Sequence, residues 1–185
     1  MPETGTQKQA PDLPAPSAFS FVLTLGLVNL FADMTYEGAS GINGPFLGAL
    51  GAGAAAIGVI SGVGEFLGYS LRVVAGYVSD RTGKYWLVTF LGYGINLFAV
   101  PALALAGNWQ LAAVLVIAER VGRAIRKPSV EAMLSYTTGS LGKGWVYAVN
   151  NALDQLGATL GPLLMAAVLL LKGSYRTGYA LLLIL

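Results

Sequence analysis

Residues 76–84 read Gly-Tyr-Val-Ser-Asp-Arg-Thr-Gly-Lys, a short charged turn between two apolar runs, residues 54–78 and 86–106. A helix rises 1.5 Å per residue, so about 20 apolar residues cross the ~30 Å hydrocarbon core of a bilayer. Both runs meet that length, and the turn therefore reads as a loop joining two membrane spans. Outward from it the chain continues in the same style, with apolar blocks at 18–50, 109–125 and 145–171 and a last one at 175–185. That last block reaches only about 16 Å as a helix. It is expected to be an incomplete sixth span, and the chain a fragment of something longer. Residues 1–17 hold four prolines and scattered polar residues with no basic run leading to a cleavage site, which predicts a disordered tail rather than a signal peptide.

Composition supports an all-helical integral membrane protein. Hydrophobic residues make up 55% of the 185, charged residues only 11%, and the mean hydropathy is +0.66, against about 25% charged in an ordinary soluble domain. With no cysteine and no histidine, disulfides, Cys/His zinc sites and Ser-His or Cys-His nucleophiles are excluded. No cofactor, metal, enzymatic role or nucleic-acid partner is expected. Any proton chemistry falls to carboxylates. Lys8, Arg81, Lys84, Arg123, Arg126, Lys127 and Lys143 fall on one side of the predicted spans and only Lys172 and Arg176 on the other. The positive-inside rule then puts the amino terminus and residues 76–84 in the cytoplasm.

Ionisable residues inside the predicted spans carry the chemistry, since each costs at least about 2.5 kcal/mol if it faces lipid at mid-depth. Span one holds Asp33 and Glu37, span two Glu65 and Arg72, span four Glu119 and Arg120 at its end, and span five Asp154. Asp33 and Glu37 are one turn apart on one face, extended by Asn29. Two carboxylates there do not ionise together easily, so they are candidates for proton coupling; the equal alternative is that Asp33 pairs with a basic partner while Glu37 lies solvated near the outer surface. Tyr147, Asn150, Asn151 and Asp154 form a polar ridge on span five that suits water or substrate. Counting Asp33, Glu37, Glu65 and Asp154 against Arg72, the deep region carries an excess of acid, which protons or a cationic substrate would relieve. Gly58/Gly62 and Gly64/Gly68 are small-x-x-x-small pairs expected to pack tightly against a neighbouring helix, with a sliding surface between two helical bundles as the alternative, and Gly157/Gly161 followed by Pro162 predicts a close, bent contact.

The turn at 76–84 has the spacing G-x-x-x-D-R-x-G-[RK] between a second and a third span, and in this it resembles the motif A loop of the major facilitator superfamily (MFS). Gly157-Ala-Thr-Leu-Gly161-Pro162 is similar, in part, to motif C of that superfamily's antiporters, and residues 119–134 and 151–158 look like the fourth and fifth helices of a prokaryotic branch. The resemblance implies the amino-terminal six-helix bundle of such a transporter, built as two inverted three-helix repeats and facing a second bundle. It implies a cytoplasmic gate made of Gly76, Asp80, Arg81, Gly83 and Lys84, with Asp80 paired to Arg120 or Arg123. It further implies secondary transport of a small solute across a bacterial inner membrane, by proton antiport in the efflux direction. The proton and substrate candidates are Asp33, Glu37, Glu65, Arg72, Asn150, Asn151 and Asp154. Tyr85 stands where motif A has a second basic residue, Gly122-Arg123 falls too early for motif B, and Lys127 is expected to touch lipid headgroups. A half-size transporter working as a homodimer, a passive channel and a membrane scaffold are the alternatives.

Overall fold

The computed structural model describes residues 14–184. It is helical from end to end: α1 (Ala15–Ala49), α2 (Ala54–Thr82), α3 (Tyr85–Leu103), α4 (Trp109–Ser135), α5 (Thr138–Leu141), α6 (Lys143–Lys172) and α7 (Tyr175–Leu181), closed by a 3-10 turn, Leu182–Ile184. The tail expected over residues 1–17 lies outside the described residues up to residue 13, and Ala15, Pro16 and Ser17 already belong to α1, which starts with a proline in its first turn.

Local chemistry explains the breaks. Gly83 adopts φ 66° at the end of α2 and its N–H returns to the Ser79 carbonyl at 2.8 Å. That left-handed position favours glycine, and it turns the chain into α3. Gly173 does the same after α6, with φ 65° and a 2.8 Å bond to the Leu169 carbonyl. The Asn108 side chain caps α4 by accepting from the Leu111 N–H at 2.8 Å.

Seven helices stand where six spans were expected, because α5 occupies the connection between the fourth and fifth blocks. The larger difference is α4. Its span was expected to end near residue 125, yet the helix runs to Ser135 with Pro128 inside it. α1, α2, α3 and Lys143–Leu171 of α6 are long and apolar enough to cross a membrane. α4 is as long but does not qualify on apolarity, since Glu119, Arg120, Arg123, Arg126 and Lys127 crowd its middle. It is instead the helix the others enclose, packing on α2 and α3 while α1 packs on α6.

Two apolar clusters bracket that middle. One gathers Ile42, Phe46, Leu47, Val100, Leu103, Val116, Met165 and Tyr179; the other gathers Val22, Leu25, Val130, Met133, Leu134 and Val146. Both draw on α1 and α4 at opposite ends, so the charged stretch of α4 is sealed between two dry layers. Glycines set the close contacts. A Cβ on Gly161 would fall onto the Met34 carbonyl and lie 2.9 Å from the Gly38 nitrogen, and one on Gly157 would fall onto the Leu30 carbonyl. The α1–α6 contact is thus backbone to backbone, as small residues permit. The tight packing expected of the pairs on α2 is not found: a Cβ on Gly58, Gly62 or Gly68 meets nothing, and Gly64 meets only the Arg120 side chain. That face of α2 lies open, with Phe66, Val73 and Tyr77 exposed around it.

Candidate functional site

The polar core is built on α4, whose residues 119–127 turn through more than two turns and so face three neighbouring helices in succession. Arg120 pairs with Glu65 of α2. Arg123 donates to Glu37 of α1 at 2.9 Å and lies over the Tyr36 ring, 3.9 Å from its centre. Arg126 donates to Asp33 of α1 at 2.8 Å, both side chains being almost wholly buried. Lys127 reaches Asp154 of α6 at 2.6 Å and lies 3.9 Å from the second oxygen of Asp33.

Neutral groups close these pairs into a circuit. The Asn150 amide donates to Asp154 at 3.3 Å, the Asn29 amide donates to Asn150 at 3.0 Å, and the Tyr93 hydroxyl of α3 donates to Asn29 at 2.8 Å. The Tyr93 ring lies under the Arg126 guanidinium at 4.8 Å, which returns the chain of contacts to Asp33 and Lys127. Further along α4, the buried Glu119 accepts from the Asn43 amide at 3.2 Å, and Asn43 accepts from the Tyr179 hydroxyl at 2.7 Å. The other Glu119 carboxylate oxygen is buried without a partner among the described residues. Arg123 Nε, Arg126 Nε and Asp154 Oδ1 are likewise without a hydrogen-bond partner among the described residues, but paired in this way the charges persist in an apolar surround where one alone would be costly.

The expected excess of deep acid is therefore corrected. Asp33, Glu37, Glu65 and Asp154 each have a basic partner, and those partners are the arginines and lysine that the sequence placed at the edge of span four. Lys127, expected at lipid headgroups, lies in the interior network. The physical reason is the continuation of α4 through Pro128, which carries its charged stretch past α1 and α6. Asn150 and Asp154 belong to the network, whereas Asn151 is exposed. Arg72 is exposed too, standing over the Tyr69 ring at 5.7 Å, with no ion pair among the described residues.

The stretch at 76–84 also differs from expectation, since residues 76–82 complete α2 and only Gly83 and Lys84 turn the chain into α3. Arg120 and Arg123 are engaged elsewhere, and Asp80 instead accepts from the Tyr85 hydroxyl at 3.2 Å, which in turn accepts from Tyr136 at 3.3 Å. The residue that departs from the motif is the one that holds its aspartate. Arg81 donates to Tyr77 at 2.7 Å on the same helix face. Lys84 is the residue before α3. Gly76 faces Pro128 of α4 at ordinary contact distance, and Ser79 and Ser129 share a buried 2.7 Å hydrogen bond beside it. Sequence reasoning missed Tyr36, Asn43, Tyr93 and Tyr179. It also missed Arg126 as a core residue, although its seven-residue spacing from Glu119 places both on one face of a helix two turns long.

Two cavities flank the network. The larger, about 460 Å³, is mostly apolar and lies between α1 and α3 with Leu182 and Leu183 at its edge, its polar lining being Thr35, Tyr36, Tyr93 and Asn96. The smaller, about 210 Å³, is polar and half open between α2 and α4, lined by Glu65, Arg72, Arg120, Arg123, Tyr36 and Tyr69. Among the described residues no cluster of acidic side chains is arranged to hold a metal.

Comparison with known proteins gives the context. Uncharacterized proteins of Mycobacterium tuberculosis and Mycobacterium bovis are 45% identical over 161 residues, covering 87% of this chain and 39% of each relative. An uncharacterized MFS-type transporter of Methanocaldococcus jannaschii is 31% identical over 157 residues, covering 84% of this chain and 39% of that protein. The chain thus spans about two fifths of the length of the relatives it matches. No family model matches it, and no solved structure matches it significantly. The chain is a multi-pass helical membrane protein related to an MFS-type transporter.

Proposed function

We propose that the chain is the amino-terminal six-span bundle of a secondary transporter of the MFS type, moving a small solute across the cytoplasmic membrane by alternating access against a second bundle. In this reading the residues before α1 lie in the cytoplasm, the helices from α1 onward form the bundle, and the end of α2 with the turn at Gly83 faces the cytoplasm beside the gate. The observation that carries it is the charged circuit of α4, five acidic and four basic side chains gathered on and between helices of membrane length. Intramembrane charges at this density mark a pathway for ions or solutes. The relative from Methanocaldococcus jannaschii, an uncharacterized MFS-type transporter by name, lends support.

The finer parts of the proposal are proton coupling and efflux. In a chain without histidine, proton exchange falls to the carboxyl groups of Asp33, Glu37, Glu65, Glu119 and Asp154. Antiport in the outward direction rests on Gly157, Gly161 and Pro162, whose close packing on α1 gives that contact a defined place to bend. The test is solute flux by this bundle together with the second bundle it is proposed to face, in proteoliposomes with and without an imposed pH gradient, comparing the parent with Asp33→Asn, Glu65→Gln and Glu119→Gln. Flux that answers to the gradient and is lost in at least one variant is expected. No flux above empty vesicles removes transport; flux indifferent to the gradient removes coupling alone.

A further inference from the structure

The polar cavity between α2 and α4 departs from the network beside it in one respect, which is an unbalanced positive charge. Three of its lining side chains are arginines, Arg72, Arg120 and Arg123, and Glu65 is its only acid. Arg123 is held from behind by Glu37 and Arg120 is shared with Glu65, whose side chain is more than half exposed. Arg72 has neither kind of partner among the described residues. Three cations against Glu65 and Glu37 leave one positive charge over; the carboxylate behind them, Glu119, does not line the cavity and is hydrogen-bonded to Asn43.

Guanidinium groups present paired N–H donors in a plane that matches a carboxylate or phosphate group, and they do so with more geometric specificity than lysine. Tyr36 and Tyr69 lie under two of these guanidinium groups, orienting them without consuming their in-plane donors. Space is provided as well. Gly68 lines the cavity at a position where a Cβ would meet nothing, so its lack of a side chain serves no packing contact and leaves the volume free.

We propose that this cavity binds the oxyanion group, carboxylate or phosphate, of a small organic solute, with Arg72 supplying the uncompensated charge and Arg120 exchanging Glu65 for the ligand. The inference rests on the transport reading and gives its substrate class as anionic, the opposite of the cation suggested by the sequence. A volume of about 210 Å³ suits a ligand smaller than the drug-sized molecules that fill typical pockets of 300–1,000 Å³.

The experiment is calorimetric titration of the full chain in a maltoside detergent with inorganic phosphate, benzoate and succinate, against the neutral benzamide. At least one anion is expected to bind and benzamide not. Arg72→Gln should weaken that binding about tenfold or more, the loss typical of a charge-assisted hydrogen bond, while leaving the melting temperature unchanged because Arg72 is exposed. Glu65→Gln should tighten it by freeing Arg120. Opposite signs for two neighbouring substitutions are not produced by a structural role. Binding of none of the three anions, an unaltered Arg72→Gln, or a weaker Glu65→Gln overturns the proposal. Competition by added phosphatidylglycerol that abolishes binding would make the occupant a lipid headgroup and equally overturn it. The two readings fail separately: anion binding without flux in vesicles removes transport and keeps the site, whereas flux of neutral or cationic solutes without anion binding removes the site alone.

Discussion

Arg126 and Asp33 form the most deeply buried ion pair among the described residues, and separating them is the sharpest test of the circuit on α4. Arg126→Gln removes the cation and leaves Asp33 charged in a dry layer. Removing one partner of a buried pair costs about 3–5 kcal/mol. Lys127 moderates this, since its Nζ already lies 3.9 Å from the free oxygen of Asp33, so the lower end of that range is expected. For a chain of this size, 1 kcal/mol shifts the melting temperature by roughly 2–4 °C, and the variant should melt roughly 6–12 °C below the parent. The double variant Asp33→Asn/Arg126→Gln removes both charges and keeps hydrogen-bonding groups of similar shape. It should recover more than half of the loss, because the stranded charge rather than the missing bond dominates the single variant. Thermal unfolding in detergent, followed by tryptophan fluorescence, reads all three. A single variant within about 2 °C of the parent, on that same conversion, or a double variant with additive losses, would refute the reasoning that the pair is sealed from water.

Other expectations follow from the same geometry. Glu119→Gln keeps the acceptor for Asn43 and should melt at or above the parent temperature, whereas Glu119→Ala strands the Asn43 amide and should lose about 1–3 kcal/mol, both read by detergent unfolding. Gly161→Leu drives a side chain into the Met34 carbonyl and should prevent recovery of monodisperse protein on size exclusion, while Gly62→Ala, which meets nothing, should be neutral or stabilise by up to about 1 kcal/mol. Tyr85→Phe releases Asp80 at an exposed position and should shift stability by less than about 1 kcal/mol, a change too small to move the melting temperature beyond a few degrees.

Much of the helical framework was legible in the sequence because it depends on local signals. The turn at Gly83 follows from a residue that tolerates positive φ, and the end of α6 at Gly173 from the same property. Apolar length alone marks α1, α2, α3 and α6. The site was less legible, since its content is pairing across helices. Asp33, Glu37, Glu65 and Asp154 stand out individually as costly residues, but their partners were hidden by Pro128, which reads as a stop and is accommodated inside α4 instead. Once α4 is known to continue, Arg126 and Lys127 face inward of necessity. Glycine spacing misled in the other direction, because Gly58/Gly62 and Gly157/Gly161 share a pattern that gives no indication of whether a neighbour is present.

The order of charges along α4 has a consequence for how that helix is able to move. A slide of one turn, about 5.4 Å, would bring Glu119 to the place now held by Arg123, opposite Glu37, so that acid meets acid. Glu119 therefore works as a one-way ratchet tooth: it opposes a slide in that direction, whereas the reverse slide would set Lys127 opposite Glu37.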